Sequence, residues 1–170
     1  MKHIFWCVAL GAFILFLLSC GAKKSQHQTR GSDEIAKVMI PESGCYASLT
    51  GGDSIWLKVE VFPNVVTGVL KYNISGKDKN TGTFYGKLYG DTLIADYSFY
   101  SEGRQSVRQV AFLIKDGSAV EGYGDIQEQN GKIVFNNVSS IDFSKGFNLQ
   151  KISCADHDEQ FRVEAVSHKR

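Results

Sequence analysis

The sequence predicts an all-β protein: an antiparallel meander that closes into a small barrel of roughly eight or nine strands. A two-sheet sandwich is the alternative arrangement. Three observations carry the prediction. Between Thr81 and Asp125, runs rich in Thr, Tyr, Phe, Val, Ile and Leu are cut at short intervals by Gly90-Asp91, Glu102-Gly103 and Asp116-Gly117. That is the pattern of consecutive strands joined by tight turns. Glycine is frequent at 17 and proline rare at 2, which suits tight turns and argues against disorder. A loose repeat also places Gly52-Asp53-Ser54-Ile55 and Gly90-Asp91-Thr92-Leu93 in the same relation of turn to next strand. Strands that neighbour one another in sequence suit an up-and-down barrel, because closure removes exposed edges.

The domain expected to form the barrel is 41–154. Ile35 to Ile40 is a weak apolar run ahead of Pro41 and could lead in as a strand. Cys45–Leu49 is a short strand. Asp53–Val61 alternates, with Ile55, Leu57, Val59 and Val61 on one face and Trp56, Lys58 and Glu60 on the other. Phe62-Pro63-Asn64 turns the chain into Val65–Asn73, where Gly68 marks a bend or bulge. Ser75–Asn80 is a loop. Gly82–Tyr89, Asp91–Tyr100, Ser106–Lys115 and Ala119–Ile126 follow as strands, with Glu102–Ser106 read as a long polar loop. Gly122-Tyr123-Gly124 lacks the third glycine and the helix of a dinucleotide motif, so it reads as a place of close backbone approach. Asn130-Gly131 is a strong hairpin signal. Lys132–Val138, Ile141–Phe143 and Phe147–Cys154 complete the set. The aspartates beside the turn glycines are expected to accept hydrogen bonds from nearby backbone N–H groups. The charged tail, 155–170, carries Phe161, Val163, Ala165 and Val166 and is compatible with a frayed end, a strand or a short helix.

Ahead of the barrel the chain is of a different kind. Met1-Lys2-His3 is basic, and Ile4 to Leu18 is almost wholly apolar but shorter than a spanning helix needs. Segment 1–19 therefore reads as a secretory signal. Leu17-Leu18-Ser19-Cys20-Gly21 resembles the lipobox of bacterial lipoproteins. That resemblance implies cleavage before Cys20, a diacylglycerol on its thiol and a third acyl chain on its amine. Several chains hold a protein at a bilayer where one does not, at about 0.8 kcal/mol per buried methylene. Gly21 rather than Asp follows the cysteine. In the enterobacterial sorting scheme this implies the outer membrane of the cell envelope. Segment 20–40 is the lipidated cysteine and a polar tether, with a reach of about 20 Å.

The fragments Val66-Thr67-Gly68-Val69-Leu70 and Thr83-Phe84-Tyr85-Gly86-Lys87-Leu88 resemble the glycine-containing strands of lipocalin-like and avidin-like barrels, although the Gly-x-Trp start of lipocalins is missing. The chain after Cys20 is similar to other small lipoproteins of bacterial envelopes, a resemblance that implies no particular activity.

Charge and chemistry narrow the function further. The formal net charge is +1, and Lys2 lies in the leader, so the remaining chain is near neutral. It has no basic excess to hold nucleic acid. Of four cysteines, Cys7 and Cys20 belong to the leader and its end. Cys45 and Cys154 remain, at opposite ends of the expected barrel. An exported chain can oxidise them, so a disulfide between first and last strands is expected, against the alternative of two buried thiols. The histidines are His3, His27, His157 and His168, none of them between Cys45 and Cys154. The barrel thus has no histidine base and no histidine metal ligand. No catalytic motif, metal-binding motif or cofactor loop is present. A hydrolase built on carboxylates such as Asp96, Glu102, Glu121 and Asp125 needs only a well-placed pair and stays as a minor reading.

The constellation of most interest is Asp96, Tyr100, Arg104, Arg108 and Glu121. If the strands around residues 96 and 108 pair in a register of even sum, Asp96 and Arg108 share a face. They would then be either a polar anchor at a ligand cavity or an outward ion pair. The aromatic set Trp56, Tyr72, Phe84, Tyr85, Tyr97, Phe99, Tyr100, Phe112 and Tyr123 is expected to be mostly core. The function expected is a non-enzymatic, membrane-anchored envelope lipoprotein whose barrel binds a small apolar or amphipathic ligand. The alternative is a filled barrel that docks another envelope protein.

Overall fold

The computed structural model describes residues 42–77, 79–101 and 103–163. The expected signal 1–19, the stretch 20–40 with Cys20, Glu102 and the last residues of the tail lie outside them.

The strands are β1 (Gly44–Thr50), β2 (Asp53–Phe62), β3 (Val65–Asn73), β4 (Asn80–Tyr89), β5 (Thr92–Ser101), β6 (Arg104–Lys115), β7 (Ser118–Gly122), β8 (Ile126–Gln129), β9 (Lys132–Phe135) and β10 (Asn148–Ile152). Each of β1 to β6 pairs antiparallel with the next, β6 pairs with β7, and β10 joins β7 to β1. The result is an eight-stranded antiparallel barrel, as the turn spacing predicts. The β8–β9 hairpin is additional. It lies against β6 beyond the end of β7, through the pair Arg108↔Ile133.

The turn chemistry works as the sequence suggests. Asp116-Gly117 and Asn130-Gly131 both have two consecutive residues at positive φ (51° and 76°, 54° and 75°), the requirement of the tight hairpin turn that matches strand twist. Alternation then sorts the faces. Ile55, Leu57 and Val59 of β2, Val66, Leu70 and Tyr72 of β3, and Val110, Phe112 and Ile114 of β6 are buried in one core with Tyr46, Phe84, Leu93, Tyr97 and Leu149. Gly68 allows the strands to bend. A Cβ there would lie 1.8 Å from the Lys58 carbonyl oxygen, and the Phe84 ring covers the space it leaves.

Besides the strand expected over Lys132–Val138, which ends at Phe135 with Val138 opening a 3-10 turn, three boundaries differ from the sequence expectation. The strand expected over Ala119–Ile126 ends at Gly122, and Ile126 begins β8 instead. Gly122 is the cause. A Cβ there would be 2.4 Å from Ile141 Cγ2 and 2.5 Å from the Phe143 ring, so the 141–143 segment crosses directly over it. That segment is not a strand; it gives a single bridge, Tyr123↔Asp142. The third difference is in β5–β6, where Ser101 pairs with Arg104. Positions 102 and 103 alone make the connection, so the expected long loop is a two-residue turn.

Cys45 in β1 is bonded to Cys154, just beyond β10, across a sequence separation of 109 residues. From there Ala155–Phe161 forms 3-10 turns, kinked at His157, on the outside of the barrel. The outward Trp56 of β2 receives it, with His157 at 5.4 Å and Phe161 at 6.1 Å between ring centres. Of the tail alternatives, the short helix is the one formed among the described residues, 155–163.

Candidate functional site

The filled interior opens at one end of the barrel, where β3 finishes, β6 is near its start and β7 stops. A cavity of about 320 Å³ lies there. Its apolar wall is made by Ile74, Val110, Ile126, Ile133, Phe135 and Phe147; its polar lining includes Tyr72, Asn80, Arg108, Glu121 and Tyr123. The β8–β9 hairpin supplies Ile126, Ile133 and Phe135, and its position is fixed when Gln109 Oε1 accepts from the Phe135 N–H at 3.1 Å. Ile126, Ile133, Phe147 and Tyr123 are all partly open to solvent, so the mouth is apolar.

Glu121 is the one charged side chain among the buried residues of the described barrel, at 4% exposure. It points inward because it shares the face of the buried Ala119 and stands opposite Phe112 in the β6–β7 ladder. Two phenols satisfy it: Tyr72 OH donates to Oε1 at 2.5 Å and Tyr123 OH donates to Oε2 at 2.9 Å. Burial nevertheless pushes its carboxyl above the ordinary 4.5, outweighing the two hydrogen bonds and the Arg108 charge, which act to lower it. The phenols respond in the same direction. Burial and the adjacent carboxylate raise Tyr72 well above the ordinary tyrosine value and raise Tyr123 as well.

Arg108 is held differently. Its guanidinium carbon lies 5.0 Å from the Tyr72 ring centre, 5.5 Å from Phe99 and 5.7 Å from Tyr97. The rings are themselves fixed, since Tyr97 stacks on Phe99 at 4.9 Å and Tyr97 OH donates to the Leu70 carbonyl at 2.9 Å. Three aromatic faces stabilise a cation electrostatically. They do not satisfy its donors. Arg108 Nε is buried without a hydrogen-bond partner, and so is Asn80 Oδ1. Among the described residues no carboxylate stands within ion-pair distance of Arg108.

Of the five residues singled out from sequence, the structure gathers two. Arg108 and Glu121 share the cavity. Asp96 does not, which corrects the even-sum expectation. The β5–β6 register pairs Tyr97 with Arg108, an odd sum, because a two-residue turn pairs residue i with residue i+3. Asp96 therefore faces outward and pairs with Lys132 of β9. Tyr100 lies in a separate outer groove with Lys71, Thr83, Gln105 and Arg162. Arg104 is exposed at the β5–β6 turn. Sequence reading missed Tyr72, Asn80 and Tyr123 as partners of this site. Only alternation from the buried Leu70 could have pointed to Tyr72, and nothing local marks Asn80. Of the aromatic set, Tyr72, Phe84, Tyr97 and Phe112 are core, whereas Tyr85, Tyr100 and Tyr123 are exposed.

Among the described residues no three His, Cys, Asp or Glu side chains gather in a way that could hold a metal ion. What the arrangement offers chemically is a fixed cation and a phenol-clamped carboxyl at the inner end of an apolar-mouthed hole. Compared with known proteins, the chain matches no family model, no curated protein and no solved structure.

Proposed function

We propose that this protein is a lipid-anchored lipoprotein of the cell envelope whose barrel binds a small amphipathic molecule without transforming it. The observation that carries the binding half is the open end of the barrel. An apolar-rimmed cavity with a few convergent polar groups is the usual form of a small-molecule site, and its size of about 320 Å³ is at the small end of that class. Support for the anchoring half is the lipobox-like Leu17-Leu18-Ser19-Cys20. Acylation at Cys20 would bring the barrel to a bilayer, and Gly21 after the cysteine points to that of the outer membrane.

Native mass spectrometry of the full chain isolated from its envelope tests binding: a retained small-molecule adduct is the expected result, and the acylated protein mass alone overturns it. Metabolic labelling with an alkyne fatty acid tests anchoring. The label is expected on the parent and absent from Cys20→Ala; a labelled variant overturns it.

A second reading has its own observation. Most of the barrel's length is filled by Leu57, Leu70, Leu93, Tyr97 and Phe112, while Tyr85 and Tyr89 stand exposed on the outer face of β4. This favours docking against another envelope protein. Cross-linking at Tyr85 in intact cells distinguishes it: a specific protein adduct would favour docking over the cavity.

A further inference from the structure

We propose that the cavity selects a small monocarboxylate, its carboxylate paired with Arg108 and its apolar body lying against the β8–β9 hairpin. This rests on the binding reading given above and specifies the ligand.

The argument begins with charge. The charged side chains that line the cavity are Lys77, Arg108 and Glu121, which leaves one positive charge in excess. Glu121 stands beyond ion-pair distance of Arg108, and its two oxygens are turned to the Tyr72 and Tyr123 hydroxyls at 2.5 and 2.9 Å. Arg108 is thus a partly buried cation with aromatic faces around it and a buried Nε donor left over. A buried polar group without a partner is costly. A guanidinium is best completed by a planar anion that takes two parallel N–H bonds, and a carboxylate has that geometry. Asn80 lines the same space with its own unsatisfied amide oxygen. Turned by half a revolution, that amide would donate to the carboxylate instead.

Size and wall chemistry fix the rest. A cavity of about 320 Å³ accepts roughly ten non-hydrogen atoms at the ~30 Å³ that a water occupies in the liquid. The surfaces left for the body of the ligand are Ile74, Val110, Ile126, Ile133, Phe135 and Phe147, all apolar. A short aliphatic acid satisfies both ends; a longer chain would have its tail outside the mouth. The rings that hold Arg108 also keep it in place before the ligand arrives, so little ordering is required on binding.

The probe is octanoate labelled with ¹³C at the carboxyl carbon, titrated into the full chain in lipid nanodiscs, with protein-free nanodiscs as the partition baseline. Octan-1-ol and octylamine are run beside it. The expected result is a separate bound carboxylate resonance that stays ionised at a pH where free octanoate is protonated. Octanol is expected to bind at least tenfold more weakly and octylamine not at all. Arg108→Leu is expected to lose the bound resonance, and Arg108→Lys to keep the charge but bind less tightly. Equal binding of octanoate and octanol, or a preference for octylamine, overturns the carboxylate inference and leaves the binding cavity standing. Failure of all three probes overturns both. The comparison of probes on the unsubstituted protein decides the matter even if Arg108→Leu does not fold.

Discussion

Glu121 shows what one buried side chain does to the whole chain. Its carboxyl is raised above 4.5 in the fold, with burial as the first cause. The folded state therefore holds its proton more tightly than the unfolded state does. The stability this contributes is complete below about pH 4.5 and is lost as pH rises through the folded value. Glu121→Gln removes that loss while still accepting from one phenol and donating to the other. Thermal unfolding of the parent is expected to fall between about pH 4.5 and neutrality more steeply than that of Glu121→Gln. Parallel curves would show that Glu121 is not the titrating group. The contrast with Asp96 is instructive. Both acids lie in strands, and composition does not separate them. Only the register makes one a buried partner of phenols and the other an outward partner of Lys132.

At the scale of elements, turn residues were the most legible part of the sequence. Val65–Asn73 occupies the predicted span, and Asn130-Gly131 makes the predicted turn. The aspartates were legible only in part. Asp53 accepts from the Ser75 N–H at 2.7 Å, a residue of the β3–β4 connection rather than of its own turn. The break after Gly122 was not legible, because it depends on Ile141 and Phe143 arriving from outside the local segment. The 3-10 helix that follows Cys154 was equally hidden, since its docking site, Trp56, lies about a hundred residues earlier. Phe161 is 7% exposed against that ring. Phe161→Ala is expected to cost about 2 kcal/mol, the scale of burying one aromatic side chain. It should lower the denaturant midpoint and shift Trp56 fluorescence to the red. An unchanged midpoint would mean that the helix adds nothing to the barrel.

For the molecule as a whole, the closing strands β1 and β10 meet late in sequence, and the Cys45–Cys154 bond fastens the region where they meet. A loop of 109 residues closed in the unfolded chain corresponds to about 4–5 kcal/mol by the chain-entropy estimate, an upper figure. Reduction is expected to lower stability by up to that amount without changing the strand content seen by circular dichroism. Loss of strand signal on reduction at room temperature would show that the barrel depends on the bond to form. The cavity belongs to this scale too, because its lining is drawn from β3, the β3–β4 connection, β4, β6, β7, the β8–β9 hairpin and the approach to β10.

The sequence alone determined the all-β class, most of the strands and the glycine turns such as Asp116-Gly117 and Asn130-Gly131, since these follow from alternation and from residues that tolerate positive φ. Only the tertiary structure decided which polar side chains face inward together. One residue more or less in the β5–β6 turn would put Arg108 and Asp96 on the same face, and the local pattern of charges would look the same. The hole at the end of the barrel is decided in the same way: it exists because β7 stops at Gly122 and a separate hairpin covers the side of β6, and no local run of residues encodes that meeting.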